Sequence, residues 1–139
     1  MKESIVKDKS YSFALRIICT VRLLRKQREY EFARQLFRSG TGIGANVEEA
    51  LAGISRRDFA AKRGIASKEA CETHYWLRLL RDSQILATDQ IASMVMAAEE
   101  LLRILTAIVK TTQTDRSKLT PQTNKSELEP QKSKLKTKD

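Results

Sequence analysis

Residues able to do chemistry are few and scattered in this 139-residue chain. His74 is the only histidine, and Cys19 and Cys71 are the only cysteines. Cys71 and His74 are three residues apart, so successive helical turns could present both to a metal. Zinc needs further ligands, and Cys19 is the only other soft one. A di-iron bundle site uses two Glu-x-x-His pairs plus two more carboxylates, whereas Cys71 stands three before the single histidine here. Glu48 and Glu49 are adjacent, and adjacent helical residues diverge by about 100°, too far to face one substrate. These counts predict no catalytic constellation, no metal and no cofactor, hence a non-enzyme. His74 is expected in the core or an interface beside Tyr75 and Trp76. One of Glu48 and Glu49 is expected to pair with a cation on a neighbouring helix.

The stretch RSGTGIGANVEEA, Arg38 to Ala50, carries another chemical suggestion. Gly40, Gly42 and Ala45 fit G-x-G-x-x-A, with Asp58 at about the distance of a ribose-binding acid. A dinucleotide cradle needs a strand before its glycines. Here the preceding EYEFARQLFRS has helical spacing, and no Gly-Lys-Ser/Thr follows to make a P-loop. Each glycine inside a helix costs about 1 kcal/mol relative to Ala, so the three need a packing reason. Gly40 and Gly44 are one turn apart on the apolar face, and Ser39 and Ala45 widen the strip. Small side chains let a neighbouring helix approach closely and add dispersion contacts. Asn46, beside the strip, is expected to hydrogen-bond across that crossing. A local kink is the competing account of the glycines.

The elements that carry these residues are all helical. Tyr11, Phe13, Ile17, Val21 and Leu24 form one apolar stripe. Phe32, Leu36, Gly40, Ile43, Val47, Leu51 and Ile54 form a second. Phe59, Ala66, Ala70, Thr73, Leu77 and Leu80 form a third, and Ile91, Val95, Ala98, Leu102, Leu105 and Val109 a fourth. KQREYE separates the first two. Gly53 reads as a C′ residue, Ser55 with Asp58 as a capping box, and Thr88 as a further N-cap. Four amphipathic helices with short connections predict an all-α, antiparallel, up-down-up-down four-helix bundle over residues 1–115. Residues 116–139 hold both prolines and few large apolar groups, and are expected to be a disordered Lys-rich tail.

The net charge of +9 divides into +5 on residues 1–115 and +4 on the tail. A basic surface favours polyanions. Arg56 and Arg57 open the third helix, followed by Lys62 and Arg63; these four are the candidate nucleic-acid contacts. Arg22, Arg25, Lys26 and Arg28 form a second basic group near the end of the first helix. In an antiparallel bundle these groups lie at opposite ends, so they make two clusters rather than one patch. Aromatic residues interleaved with them are few, which predicts backbone-directed and salt-dependent binding. No window approaches the roughly eighteen apolar residues of a membrane span. The N-terminus lacks a signal-peptide run. A cytoplasmic location with reduced thiols is expected.

Three stretches, LFRSGTGIGANVEEA, SRRDFAAKRGIASKEACETHYWLRLL and EELLRILTAIVKT, resemble the bacterial four helix bundle protein family. That family includes proteins encoded by intervening sequences in 23S ribosomal RNA genes, also called S23 ribosomal proteins. The resemblance covers roughly residues 5–112 in order and spacing. Gly42 stands where a Ser is usual, and the Lys-rich tail is longer. The resemblance implies an antiparallel bundle that assembles as a homopentamer. Related bundles include the accessory variability protein of diversity-generating retroelements, which binds a reverse transcriptase. Together these expectations describe an oligomeric scaffold that binds RNA or DNA. The alternative is a protein-interaction adaptor for such a reverse transcriptase.

Overall fold

A computed structural model describes residues 2–119, with side chains over 3–107. It has four helices: α1 Lys2–Lys26, α2 Tyr30–Leu51, α3 Arg56–Asp82 and α4 Thr88–Leu119. No strand occurs among the described residues. α4 runs four residues past the expected boundary at 115, and the rest of the expected disordered tail lies outside the described residues.

Each helix packs on its chain neighbours, α4 returns to α1, and the backbones of the two diagonal pairs stay apart among the described residues. Side-chain pairings run in opposite directions along each pair. Gly40 faces Ile17 and Gly44 faces Ser10. Phe32 meets Trp76 while Lys62 meets Glu49. Lys9 joins Glu100, and Arg16 donates to Ser93 Oγ at 2.6 Å. Neighbouring helices are therefore antiparallel. The α1–α4 seam is by far the sparsest contact, and a groove of about 260 Å³ floored by Phe13 and Leu101 runs along it.

The core follows the apolar periodicity. Ile17, Leu24, Leu36, Ile43, Leu77, Leu80, Ile91, Leu101 and Leu105 are fully buried or nearly so. Burial of each such side chain contributes about 1.5–3 kcal/mol. Some residues of the predicted stripes lie outside it. Tyr11 is 61% exposed, Leu51 is also exposed, and Ile54 stands 98% exposed in the α2–α3 turn. Val6 and Ser10 fill the α1 positions in phase with Phe13 and Ile17.

Helix ends differ from expectation in an instructive way. Ser55 Oγ does accept the Asp58 N–H at 3.1 Å and starts α3. Gly53, in contrast, has no positive φ, and α2 stops with Ala52 in a right-handed conformation. The left-handed residues are Arg28 at φ 63° and Gln84 at φ 60°. Each closes a Schellman motif. Glu29 N–H donates to Leu24 O at 2.8 Å and Arg28 N–H to Arg25 O at 3.0 Å. Ile85 N–H donates to Leu80 O and Gln84 N–H to Arg81 O. Thr88 is the first residue of α4 rather than its cap; the Ala87 carbonyl accepts the Ile91 N–H.

Candidate nucleic-acid interface

The four cations proposed from sequence have three different environments. Arg56 and Arg57 are exposed in the first turn of α3 and form no ion pair among the described residues. Lys62 is held by Glu49 of α2 at 2.8 Å, which offsets its charge locally. Arg63 is not a surface residue: its exposure is 0%. Its Nε and both terminal nitrogens are buried without a hydrogen-bond partner, and its guanidinium carbon lies 5.0 Å from the Phe59 ring centroid. Burial pushes the guanidinium below its ordinary pKa, and the Glu3 carboxylate partly opposes that. Arg63 is therefore removed from the surface contacts. Sequence reasoning passed over it because charged side chains are rarely buried unless paired. The signal was its phase: the step from Phe59 to Ala66 skips a turn, and Arg63 fills it.

The second basic group is entirely exposed. Arg22, Arg25, Lys26 and Arg28 lie on the last two turns of α1 and the residues after it, and none is ion-paired among the described residues. Several other cations are paired with carboxylates. Arg38 bridges Glu69 and Glu72 of α3, Lys9 holds Glu100, and Arg34 holds Glu31. Arg81 hydrogen-bonds Asp82, which keeps that carboxyl below the usual carboxylate range.

Of the small-residue strip, Ser39, Gly40 and Gly44 are buried while Ala45 is exposed. α2 is continuous through all three of its glycines. A β-carbon on Gly40 would stand 2.7 Å from Ile17 Cγ1, and one on Gly44 3.4 Å from the Ser10 carbonyl oxygen. Gly42 turns instead toward Glu69 of α3. Asn46 does not bond across the crossing: its Nδ2 donates to Gly42 O of its own helix at 2.7 Å. Such a local bond satisfies the amide without a partner helix. Ser39 Oγ is buried without a partner.

His74 joins α3 to α4, with its Nε2 3.1 Å from Glu99 Oε1. Trp76 packs edge-on against Phe32 and Tyr75. Both cysteines are free and exposed. Among the described residues, no three His, Cys, Asp or Glu side chains gather as a metal site. No described helix is long and apolar enough to cross a membrane.

The sequence pattern of the 23S rRNA-intervening sequence proteins matches residues 2–107, which hold α1 to α3 and the first twenty residues of α4. The chain belongs to the 23S rRNA-intervening sequence protein family. A crystal structure of an S23 ribosomal protein family member of unknown function, from Bacteroides thetaiotaomicron VPI-5482, is similar to it. The two are 43% identical, the match covers 79% of this chain and 99% of that one, and the TM-score is 0.75. No curated protein matches.

Proposed function

We propose that this chain is a non-enzymatic, cytoplasmic oligomeric scaffold that binds RNA or DNA through its phosphates. The observation that carries this is the cluster Arg22, Arg25, Lys26 and Arg28. Four exposed cations lie within seven residues at one bundle end, and none forms an ion pair among the described residues. Uncompensated cations at this density attract a polyanion, and phosphate contacts release condensed counterions. The family's tie to ribosomal RNA genes supports the same partner class.

The assembly proposed is a homopentamer. Tyr11, Leu15 and Ile18 recur on one α1 face and are exposed, and Phe37 is exposed on adjacent α2. Exposed apolar side chains grouped in this way favour a protein interface. A ring repeats each basic cluster once per subunit, so weak contacts reinforce one another by effective concentration.

Fluorescence anisotropy with a labelled RNA hairpin and a DNA duplex tests the binding. Affinity should be measurable at low salt and fall linearly in log–log form as salt rises. Undetectable binding, or binding indifferent to salt, overturns the reading. Light scattering should return five times the 15.8 kDa chain mass. A stable complex with another protein that survives nuclease and high salt would favour the adaptor instead.

A further inference from the structure

Sequence reading leaves two basic clusters at opposite ends of the bundle. The outer face of α3 connects those ends. Arg57, Gly64, Lys68, Cys71, Tyr75 and Arg78 fall at i, i+7, i+11, i+14, i+18 and i+21, which is one helical face. Ala66, Ala70, Thr73, Leu77 and Leu80 occupy the buried side. Arg57, Lys68, Cys71, Tyr75 and Arg78 are exposed, and no atom lies within 4 Å of a β-carbon built on Gly64. No neighbouring helix covers this ridge.

We propose that this ridge is a track for a nucleic-acid phosphate backbone, contacted by Arg57, Lys68 and Arg78, with Tyr75 beside them. The proposal rests on the nucleic-acid reading above and specifies its surface. Three observations support it. First, no carboxylate lies on this face between Arg57 and Arg78; Asp58 is turned about 100° away from Arg57. Second, the carboxylates on its shoulders are engaged by side chains of other helices or positions. Arg38 holds Glu69 and Glu72, His74 holds Glu99, and Arg81 holds Asp82 in the last turn. The ridge cations themselves form no ion pair among the described residues, although Asp82 one turn beyond Arg78 feels that cation's charge.

Third, the Arg78 guanidinium carbon lies 5.9 Å from the Tyr75 ring centroid, and Tyr75 remains 48% exposed. The ring restrains Arg78 and leaves its own edge and part of its face open to a base. Between Arg57 and Lys68 the ridge is low, because Gly64 has no side chain. From Arg57 to Arg78 the rise is about 32 Å, long enough to follow several phosphates.

The test uses the full chain and anisotropy titrations of a labelled RNA hairpin, a DNA duplex and single-stranded DNA over a salt series. Wild type is compared with R57Q/K68Q/R78Q and with R22Q/R25Q/K26Q, which removes the same charge at the end of α1. The α3 variant should bind at least tenfold more weakly at low salt. Its log–log salt slope should be shallower by about 2.7, the value for three lost phosphate contacts on duplex DNA. The α1 variant, which thins the cluster at the bundle end, should also weaken binding, but less than the α3 variant and with a smaller change of salt slope. Y75A should lower single-strand affinity several-fold with its salt slope unchanged. An α1 variant weakened as much as the α3 variant, or more, overturns the track while leaving nucleic-acid binding in place. An α3 variant whose oligomer mass changes in light scattering overturns it too, by assigning the face to contacts between copies. A wild type that binds no nucleic acid removes both readings, and that outcome is visible before any variant is compared.

Discussion

Gly40 of α2 and Ile17 of α1 are in contact so close that no side chain could stand between them. A β-carbon at Gly40 would lie 2.7 to 2.9 Å from three Ile17 carbons. Ile17 is fully buried in the core, so it has little room to withdraw. The α1–α2 spacing is thus fixed by an absent side chain. Gly40→Ala should destabilise the fold by about 1–3 kcal/mol through overpacking, despite the helix propensity it gains. Gly44→Ala meets only ordinary contact with Ser10 and should change stability by less than about 1 kcal/mol. Urea unfolding midpoints check the pair. Equal effects at the two positions would refute the close crossing at Gly40.

Gly64 is the opposite case. It sits in the interior of α3 with right-handed backbone and open space where a β-carbon would go. Gly64→Ala should therefore raise stability by about 0.5–1 kcal/mol. A thermal melt that moves down rather than up would show a constraint on this position inside the folded chain.

Gln84 adopts φ 60° to close the Schellman motif after α3. A β-carbon in that conformation costs roughly 1 kcal/mol, which glycine avoids. Gln84→Gly should stabilise the protein by up to about 1 kcal/mol in denaturant unfolding. Gly53→Ala should bring no comparable gain or loss from backbone conformation, since Gly53 has no positive φ. A destabilised Q84G variant would rule out strain at this turn.

Arg63 is a buried cation whose three nitrogens find no hydrogen-bond partner. Replacing a buried charge by an apolar side chain of similar volume is often neutral or stabilising by about 1–4 kcal/mol. Arg63→Met should accordingly raise the unfolding midpoint, while Arg63→Ala should fall below it by leaving a cavity over Phe59. Because Arg63 is enclosed, Arg63→Met should leave nucleic-acid affinity within about twofold of wild type at constant salt, under 0.5 kcal/mol. A large loss of affinity would return Arg63 to the surface contacts.

Much of the bundle was legible in the chain. Apolar residues at helical spacing marked all four helices, and the Ser55 cap was visible because Ser and Asp three residues apart satisfy orphan N–H groups locally. The stretch from Leu36 to Ala50 carried the family resemblance through its glycines. The Schellman turns were not legible, because Arg28 and Gln84 stand where glycine is usual. Asn46 was misassigned for a related reason: its short amide reached its own helix before any neighbour.

The candidate interface divides along the same line. By itself the sequence determined where the helices run, that the folded region is basic, and which cations share a face of one helix. Those are consequences of chain-local periodicity and composition. Only the tertiary structure decided which of those cations meet water unpaired. Lys62 lost its place to Glu49, Arg63 was enclosed above Phe59, and the outer face of α3 stayed uncovered. Exposure and pairing depend on how neighbouring helices cross, and that crossing is set between residues far apart in the chain, as Gly40 and Ile17 are.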